Sequence, residues 1–185
     1  KLSIIVPVYN ERGTLAECIE RVEAVRLPRG YEQEVIVVDD GSTDGAREVF
    51  DKLKDRHIVL RHERNRGKGA AIRTALGHVT GDYVVTQDAD LELDPHDLAR
   101  MLDTMLDLNL MVLYGSRRLH DNTEGVNIFF YSGGVLLSVL TNLLYGQHIT
   151  DEPTCYKMFR TDFLKSLPLR CERFEYCPEV TALTA

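Results

Sequence analysis

Short apolar runs, each ending in a polar turn and followed by a helical repeat, leave this chain few folds to choose from. Leu2-Ser3-Ile4-Ile5-Val6-Pro7-Val8 is almost continuously apolar, as expected of a strand buried on both faces of a parallel sheet. After Tyr9-Asn10-Glu11, Thr14 and Glu17 have the spacing of a capping box, and Leu15, Cys18, Ile19 and Val22 recur at helical intervals. The unit then repeats. Glu34 to Val38 reads as a strand, Asp39-Asp40-Gly41-Ser42-Thr43-Asp44 as a turn, and Ala46 to Leu53 as a helix with Val49, Phe50 and Leu53 on one face. Ile58-Val59-Leu60, Tyr83 to Thr86 and Met111 to Ser116 are further strands. Asn65-Arg66-Gly67-Lys68-Gly69 opens an alanine-rich helix that runs to Leu76. Pro95 to Leu108 turns Leu98, Met101, Leu102 and Met105 inward, with Asp94 as its cap and Pro95 at the first helical position. Strands alternating with helices predict an α/β fold with a mainly parallel sheet, and 185 residues suit one domain.

Ligands of such sheets bind at the carboxyl ends of the strands. Tyr9 to Glu11, Asp39-Asp40, Asp88-Ala89-Asp90 and Arg117 all fall there. Side chains two apart in a strand share a face, and the chain turns where the strand ends, so Asp88 and Asp90 can converge on one ion. Hard carboxylate oxygens suit Mg²⁺ or Mn²⁺, which keep positions open for substrate phosphates, and Glu92 is a candidate third ligand. An isolated Asp-x-Asp also serves to begin a loop and cap a helix, but Asp94-Pro95 already supplies that cap.

Several classes are excluded. Gly67-Lys68 follows a strand, yet a phosphate-binding P-loop would need Ser or Thr where Gly69 stands. No Gly-x-Gly-x-x-Gly stands at a strand-to-helix turn, which removes the usual dinucleotide fingerprint. A net charge of -7 argues against a nucleic-acid binder, whose surface needs clustered Lys and Arg. A haloacid dehalogenase-type phosphatase carries its Asp-x-Asp after the first strand rather than the fourth, and a sugar nucleotidyltransferase has a glycine-rich segment where Pro7 to Glu11 stands here. Cys18, Cys155, Cys171 and Cys177 lack zinc-site spacing and read as reduced thiols, with a Cys171 to Cys177 bridge as the alternative.

From Gly125 to Gln147 there is no charged residue, and Leu136, Leu137, Leu140, Leu143 and Leu144 lie at helical spacing. Gly133-Gly134, Ser138, Thr141 and Asn142 make it a poor membrane span, leaving a helix packed in the core or lying on a membrane surface. No basic stretch followed by an apolar run precedes the first strand, so no leader is expected. The helical run Val180 to Ala185 leads us to expect a C-terminal continuation.

Taken together, Ile4-Ile5-Val6-Pro7-Val8-Tyr9-Asn10-Glu11, Val38-Asp39-Asp40-Gly41-Ser42-Thr43-Asp44, Asn65-Arg66-Gly67-Lys68-Gly69 and Asp88-Ala89-Asp90 resemble the inverting family 2 glycosyltransferases of the GT-A fold. Within that family the likeness is greatest to the dolichol-phosphate mannose synthase and polyprenol-phosphate glycosyltransferase branch. It implies a single GT-A domain with a nucleotide-sugar half, 1–118, and an acceptor half, 119–185. Pro7, Tyr9, Glu11, Val38, Asp40 and Lys68 would line the nucleotide-sugar pocket. Asp88, Ala89 and Asp90 would hold metal and diphosphate, with Asp90, Arg117 and Asp151 as the catalytic set. Arg117, Lys157 and Glu179 are expected toward the acceptor, a polyprenyl or dolichyl phosphate at the cytoplasmic face of a membrane. For a saccharide hydroxyl acceptor, Asp151 would be the base; a non-catalytic nucleotide-sugar-binding subunit is the remaining alternative. Two departures stand out: Cys155 lies where glycine is frequent, and the acceptor-loop arginine has no counterpart near Tyr131 to Gly134.

Overall fold

The computed structural model describes residues 1–118 and 128–185; Gly125 to Asn127, the start of the uncharged stretch, lie outside the described residues. The strands are β1 (Leu2–Val8), β2 (Gln33–Asp39), β3 (Ile58–Arg61), β4 (Tyr83–Thr86), β5 (Val112–Tyr114) and β6 (Lys157–Arg160). The helices are α1 (Leu15–Ala24), α2 (Arg47–Leu53), α3 (Lys68–Leu76), α4 (Asp97–Asp107), α5 (Ile128–Tyr145), α6 (Thr161–Ser166) and α7 (Tyr176–Thr184).

The strands form one sheet in the order β3-β2-β1-β4-β6-β5. β1 pairs in parallel with β2 and β4, and β2 with β3, whereas β6 runs antiparallel to both neighbours, β4 and β5. Strand order therefore reverses between β1 and β4, which opens a crevice at their carboxyl ends. Because β6 runs the other way, it is its amino end, Cys155 to Lys157, that reaches this edge.

The period-2 alternation of the strands separates two cores. Leu2, Ile4, Val6 and Val8 of β1 pack with Leu15, Ile19 and Val22 of α1, Phe50 of α2 and Leu98, Leu102 and Met105 of α4. Ile5, Ile36, Val38 and Val84 face the opposite way, onto Ala71, Ile72 and Ala75 of α3, Leu164 of α6 and Val180 of α7. The alanines let α3 lie close to the sheet.

α5 is built the other way round from an ordinary amphipathic helix. Its leucines point outward: Leu143 is 77% and Leu144 75% exposed, with Leu136, Leu137 and Leu140 also exposed. The buried stripe is instead Gly134 and Ser138. The Ser138 hydroxyl donates to the Gly134 carbonyl (2.9 Å) and accepts Glu152 N–H (3.0 Å), and the Asn142 amide exchanges two hydrogen bonds with the Ile149 backbone (2.8 and 2.9 Å). Polar side chains thus anchor α5, and of the two placements left open, core or surface, the leucine face is not packed in the core.

Both expected caps also take other forms. Thr14 makes no cap hydrogen bond; its hydroxyl donates to the Glu11 carboxylate at 2.8 Å. The helix expected from Pro95 begins at Asp97, and Asp94 accepts His96 N–H (3.0 Å) in the turn before it. All four cysteines are free thiols.

Candidate functional site

Three loops at the carboxyl edge are tied together by their own side chains. Asn10, after β1, adopts φ 59°, a left-handed conformation that asparagine tolerates. Its N–H donates to Ser42 Oγ (3.0 Å), its side-chain oxygen accepts Thr43 N–H (2.8 Å), and Arg12 N–H donates to Asp44 (2.8 Å). These bonds latch the loop carrying Tyr9 and Glu11 to the loop after β2, and Tyr9 stands 46% exposed beside them. Gly41, at φ 76°, passes so close to the chain at Arg64 and Asn65 that a Cβ would lie 2.5 Å from a backbone carbon, so only glycine fits.

Asp40 is buried in this junction, and its charge is largely spoken for. One oxygen accepts Arg66 N–H (2.9 Å) and the His62 ring (Nδ1, 2.6 Å), and the other accepts Gly67 N–H (2.7 Å). A carboxylate can only accept, so His62 carries its proton on Nδ1 and turns Nε2 to the Thr74 hydroxyl at 2.9 Å. Two acceptor sites on each oxygen leave Asp40 one position for an outside N–H. Asp39 beside it accepts Ser42 N–H (2.8 Å) and pairs with Arg61 (3.2 Å). Val38 and Ala89, expected in the pocket lining, have their side chains buried in the two cores and can present only backbone. Pro7 lies opposite Val38 in the β1–β2 register and is partly exposed.

Beyond β4, Gln87 is fully buried; its carboxamide accepts the Tyr156 hydroxyl (2.6 Å) and donates to the Asp88 carbonyl (3.0 Å). Cys18 Sγ reaches the same carbonyl at 3.5 Å. The backbone entering Asp88-Ala89-Asp90 is thereby fixed from both sides. Asp90 is exposed and accepts Glu92 N–H (3.0 Å), across Leu91 at φ 66°. A left-handed leucine costs roughly 1–2 kcal/mol, so the surrounding structure holds this turn against its local preference.

Asp88 faces Lys68, whose ammonium lies 2.6 and 2.8 Å from its two oxygens. Burial opposes the charge on Lys68, but its neighbours Cys155 and Asp88 outweigh that and raise its pKa above the ordinary lysine value. Burial pushes the Cys155 thiol up to about 12. Among the described residues no three His, Cys, Asp or Glu side chains are grouped as a closed metal site. Glu92 is exposed past the turn, joined through its N–H to Asp90. Two carboxylates at a strand end still fit a hard ion that takes its remaining oxygens from water and phosphate.

On the far side of the crevice, Arg117 follows β5 and grips Asp151 with one edge of its guanidinium. Nε and a terminal nitrogen reach the two carboxylate oxygens at 2.9 and 3.1 Å, and Arg117 N–H adds a third bond at 3.1 Å. Burial alone would raise the Asp151 pKa, but the hydrogen bonds and charge of Arg117 overcome it and hold it below the usual carboxylate range. Asp151 is thus a poor proton acceptor, whereas Arg117 remains 44% exposed.

Two of the expected acceptor residues turn inward. Lys157 is buried: its ammonium donates to the carbonyls of Glu152 and Thr154, both at 2.6 Å, and lies 4.8 Å from the Tyr114 ring centre, with burial lowering its pKa. It braces the segment before β6 and presents no charge to a ligand. Glu179 accepts the N–H groups of Arg170 and Cys171 (2.7 and 3.0 Å), tying down the strap that crosses the start of α3. His62, Gln87 and Tyr156 were not singled out from the sequence; each lies next to a charged motif at the strand edge, and that position was the available signal.

The family model described as glycosyl transferase family 2 matches residues 3–167. An undecaprenyl-phosphate 4-deoxy-4-formamido-L-arabinose transferase of Salmonella paratyphi A is 31% identical over 96% of this chain and 54% of its own length. The chain spans about half the length of the curated relatives it matches. Among solved structures, a mannosyltransferase from Pyrobaculum calidifontis, in complex with GDP-Man and Mn²⁺, superposes with a TM-score of 0.69 at 26% identity, over 98% of this chain and 50% of that one. A glucosyl-3-phosphoglycerate synthase from Mycobacterium tuberculosis shares the fold, with a TM-score of 0.71 at 22% identity, over 96% of this chain and 61% of that one.

Proposed function

The chain belongs to glycosyl transferase family 2, and from that membership we propose that it moves a sugar from a nucleotide-linked donor to the phosphate of a polyprenyl lipid carrier. The observation that carries the reading is the crevice between β1 and β4, where the latched loops of Tyr9 and Asp40 stand beside Asp88 and Asp90, with Arg117 across from them. Tyr9 offers an exposed ring on which a base can stack, and Glu11 lies in the same latched loop. The single acceptor position left on Asp40 fits the one imino N–H of uracil better than the adjacent pair of donors on guanine, which favours a uridine donor.

Asp88 and Asp90 would hold Mg²⁺ or Mn²⁺, and a bound divalent ion neutralises the charge that develops on a departing diphosphate. The relatives support this coarsely, since the mannosyltransferase they include was solved with GDP-Man and Mn²⁺. A lipid phosphate is already ionised near neutral pH, its second pKa lying near about 6, so it needs positioning and charge screening rather than a base. Arg117, held in orientation by Asp151 through Nε and one terminal nitrogen, brings a fixed positive charge for that purpose. A saccharide hydroxyl would need a base, and Asp151, with both oxygens in the grip of Arg117, is unsuited to the task.

The outward leucines of α5 extend the reading to a lipid surface at the cytoplasmic face of a membrane. Among the described residues no helix is long and apolar enough to cross a membrane. The helix is held by its polar stripe and keeps its apolar one uncovered, as an interfacial helix does. Release of nucleoside diphosphate from a panel of UDP- and GDP-sugars, with and without a polyprenyl phosphate and with Mn²⁺ or chelator, tests the proposal. We expect turnover that requires both the lipid phosphate and the ion. Release stimulated only by a saccharide would contradict it.

A further inference from the structure

We propose that Lys68 is a resident counter-ion that occupies Asp88 until a diphosphate arrives, so that divalent ion and nucleotide bind as a coupled pair; this rests on the transferase reading above. The Lys68 ammonium spans both oxygens of Asp88 at 2.6 and 2.8 Å, and the two side chains are only 15% and 25% exposed, so water and salt screen the pair weakly. An ion approaching Asp88 meets a carboxylate already neutralised and an ammonium only a few ångströms away.

The surroundings single out the Lys68 side chain as the part that moves. The start of α3 is closed: Gly69 N–H and Ala70 N–H, which an anion would otherwise use, donate to the carbonyls of Arg173 and Glu172 at 3.3 and 2.8 Å. Gly67 is packed against the same strap, where a Cβ would lie 2.5 Å from the Glu172 carbonyl oxygen, so the backbone beneath Lys68 has no room to shift. Its flexible four-carbon stem remains free to turn. A diphosphate entering beside Asp88 supplies anionic oxygens that accept the ammonium as it leaves, and the freed carboxylate then takes the ion. Each ligand removes the obstacle to the other, and the coupling must be equal in both directions.

Calorimetric titration of Mn²⁺ alone, UDP alone, and each in the presence of the other measures this directly, on the wild type and on Lys68→Met and Lys68→Gln, with thermal unfolding to verify folding. For the wild type, UDP should tighten Mn²⁺ binding on the order of tenfold or more, within the usual range for coupled sites. In the variants, Mn²⁺ alone should bind about tenfold more tightly than to the wild type, UDP should bind more weakly, and the coupling should shrink several-fold. Wild-type protein that binds Mn²⁺ and UDP with independent affinities overturns the pairing while leaving the transferase reading standing. Folded variants whose affinity for Mn²⁺ alone is unchanged or weaker overturn it too. Wild-type protein that binds no nucleoside diphosphate under any condition contradicts the transferase reading itself, and the pairing with it.

Discussion

Asp151 and Arg117 set the terms at the scale of single residues. The folded-state pKa of Asp151 is depressed, so its contribution to stability is present above the ordinary carboxyl value of about 3.9 and is lost as pH falls through the lower folded value. Asp151→Asn should cost roughly 1.5–3 kcal/mol at neutral pH, as expected for hydrogen bonds to a charged group, and should flatten the acid limb of the stability curve below about pH 4. Urea titrations across pH read both effects, and an unchanged acid limb would count against the pairing. In turnover with a polyprenyl phosphate, Asp151→Asn should lose less than about tenfold, while Arg117→Ala should lose on the order of 100-fold or more, as for removal of a transition-state donor. A loss of several orders of magnitude from Asp151→Asn with donor binding intact would instead identify a hydroxyl acceptor. Asp90→Asn should weaken metal-dependent nucleotide binding by on the order of 100-fold. The positions of these charges could be read from the sequence because turn residues after apolar runs mark the sheet edge. Their partners could not: Lys157 and Arg117 are both cations beside β-prone residues, and only the tertiary path shows that one is sealed under Tyr114 while the other stands open.

Among the elements, α5 separates what periodicity can tell from what it cannot. The repeat of Leu136, Leu137, Leu140, Leu143 and Leu144 identifies a helix correctly, but hydrophobicity alone leaves open whether that face packs in the core or lies at a surface. Ser138 and Asn142 decide the docking face because they satisfy the backbone of Glu152 and Ile149, a long-range demand that no local window contains. Leu137→Glu/Leu144→Glu should therefore leave the melting temperature nearly unchanged, both side chains being exposed, and should abolish flotation with anionic liposomes. Unfolding of the variant, or a wild type that never floats, would contradict the interfacial role. β6 teaches the same lesson. Its antiparallel insertion between β4 and β5 is a matter of register across distant segments.

For the whole molecule, that insertion makes the two halves expected from the sequence interdependent. β6 comes from 119–185 yet lies inside the sheet, and Phe159 and Met158 complete the two cores begun by the first half. A 1–118 fragment should show no cooperative thermal transition, and a dispersed amide spectrum from it would show otherwise. The sheet gathers the latched loops of Tyr9 and Asp40 on one side of the crevice and Arg117 on the other, so under the proposed function donor and acceptor would meet only in the assembled domain. The most direct test of that account is transfer of labelled sugar from a UDP-sugar into an organic-extractable product, with a polyprenyl phosphate acceptor and Mn²⁺, for wild type and Asp90→Asn. The account predicts label in the lipid phase that depends on the ion and falls on the order of 100-fold in the variant. Label that stays in water-soluble saccharide, or lipid labelling that persists in chelator, would contradict it.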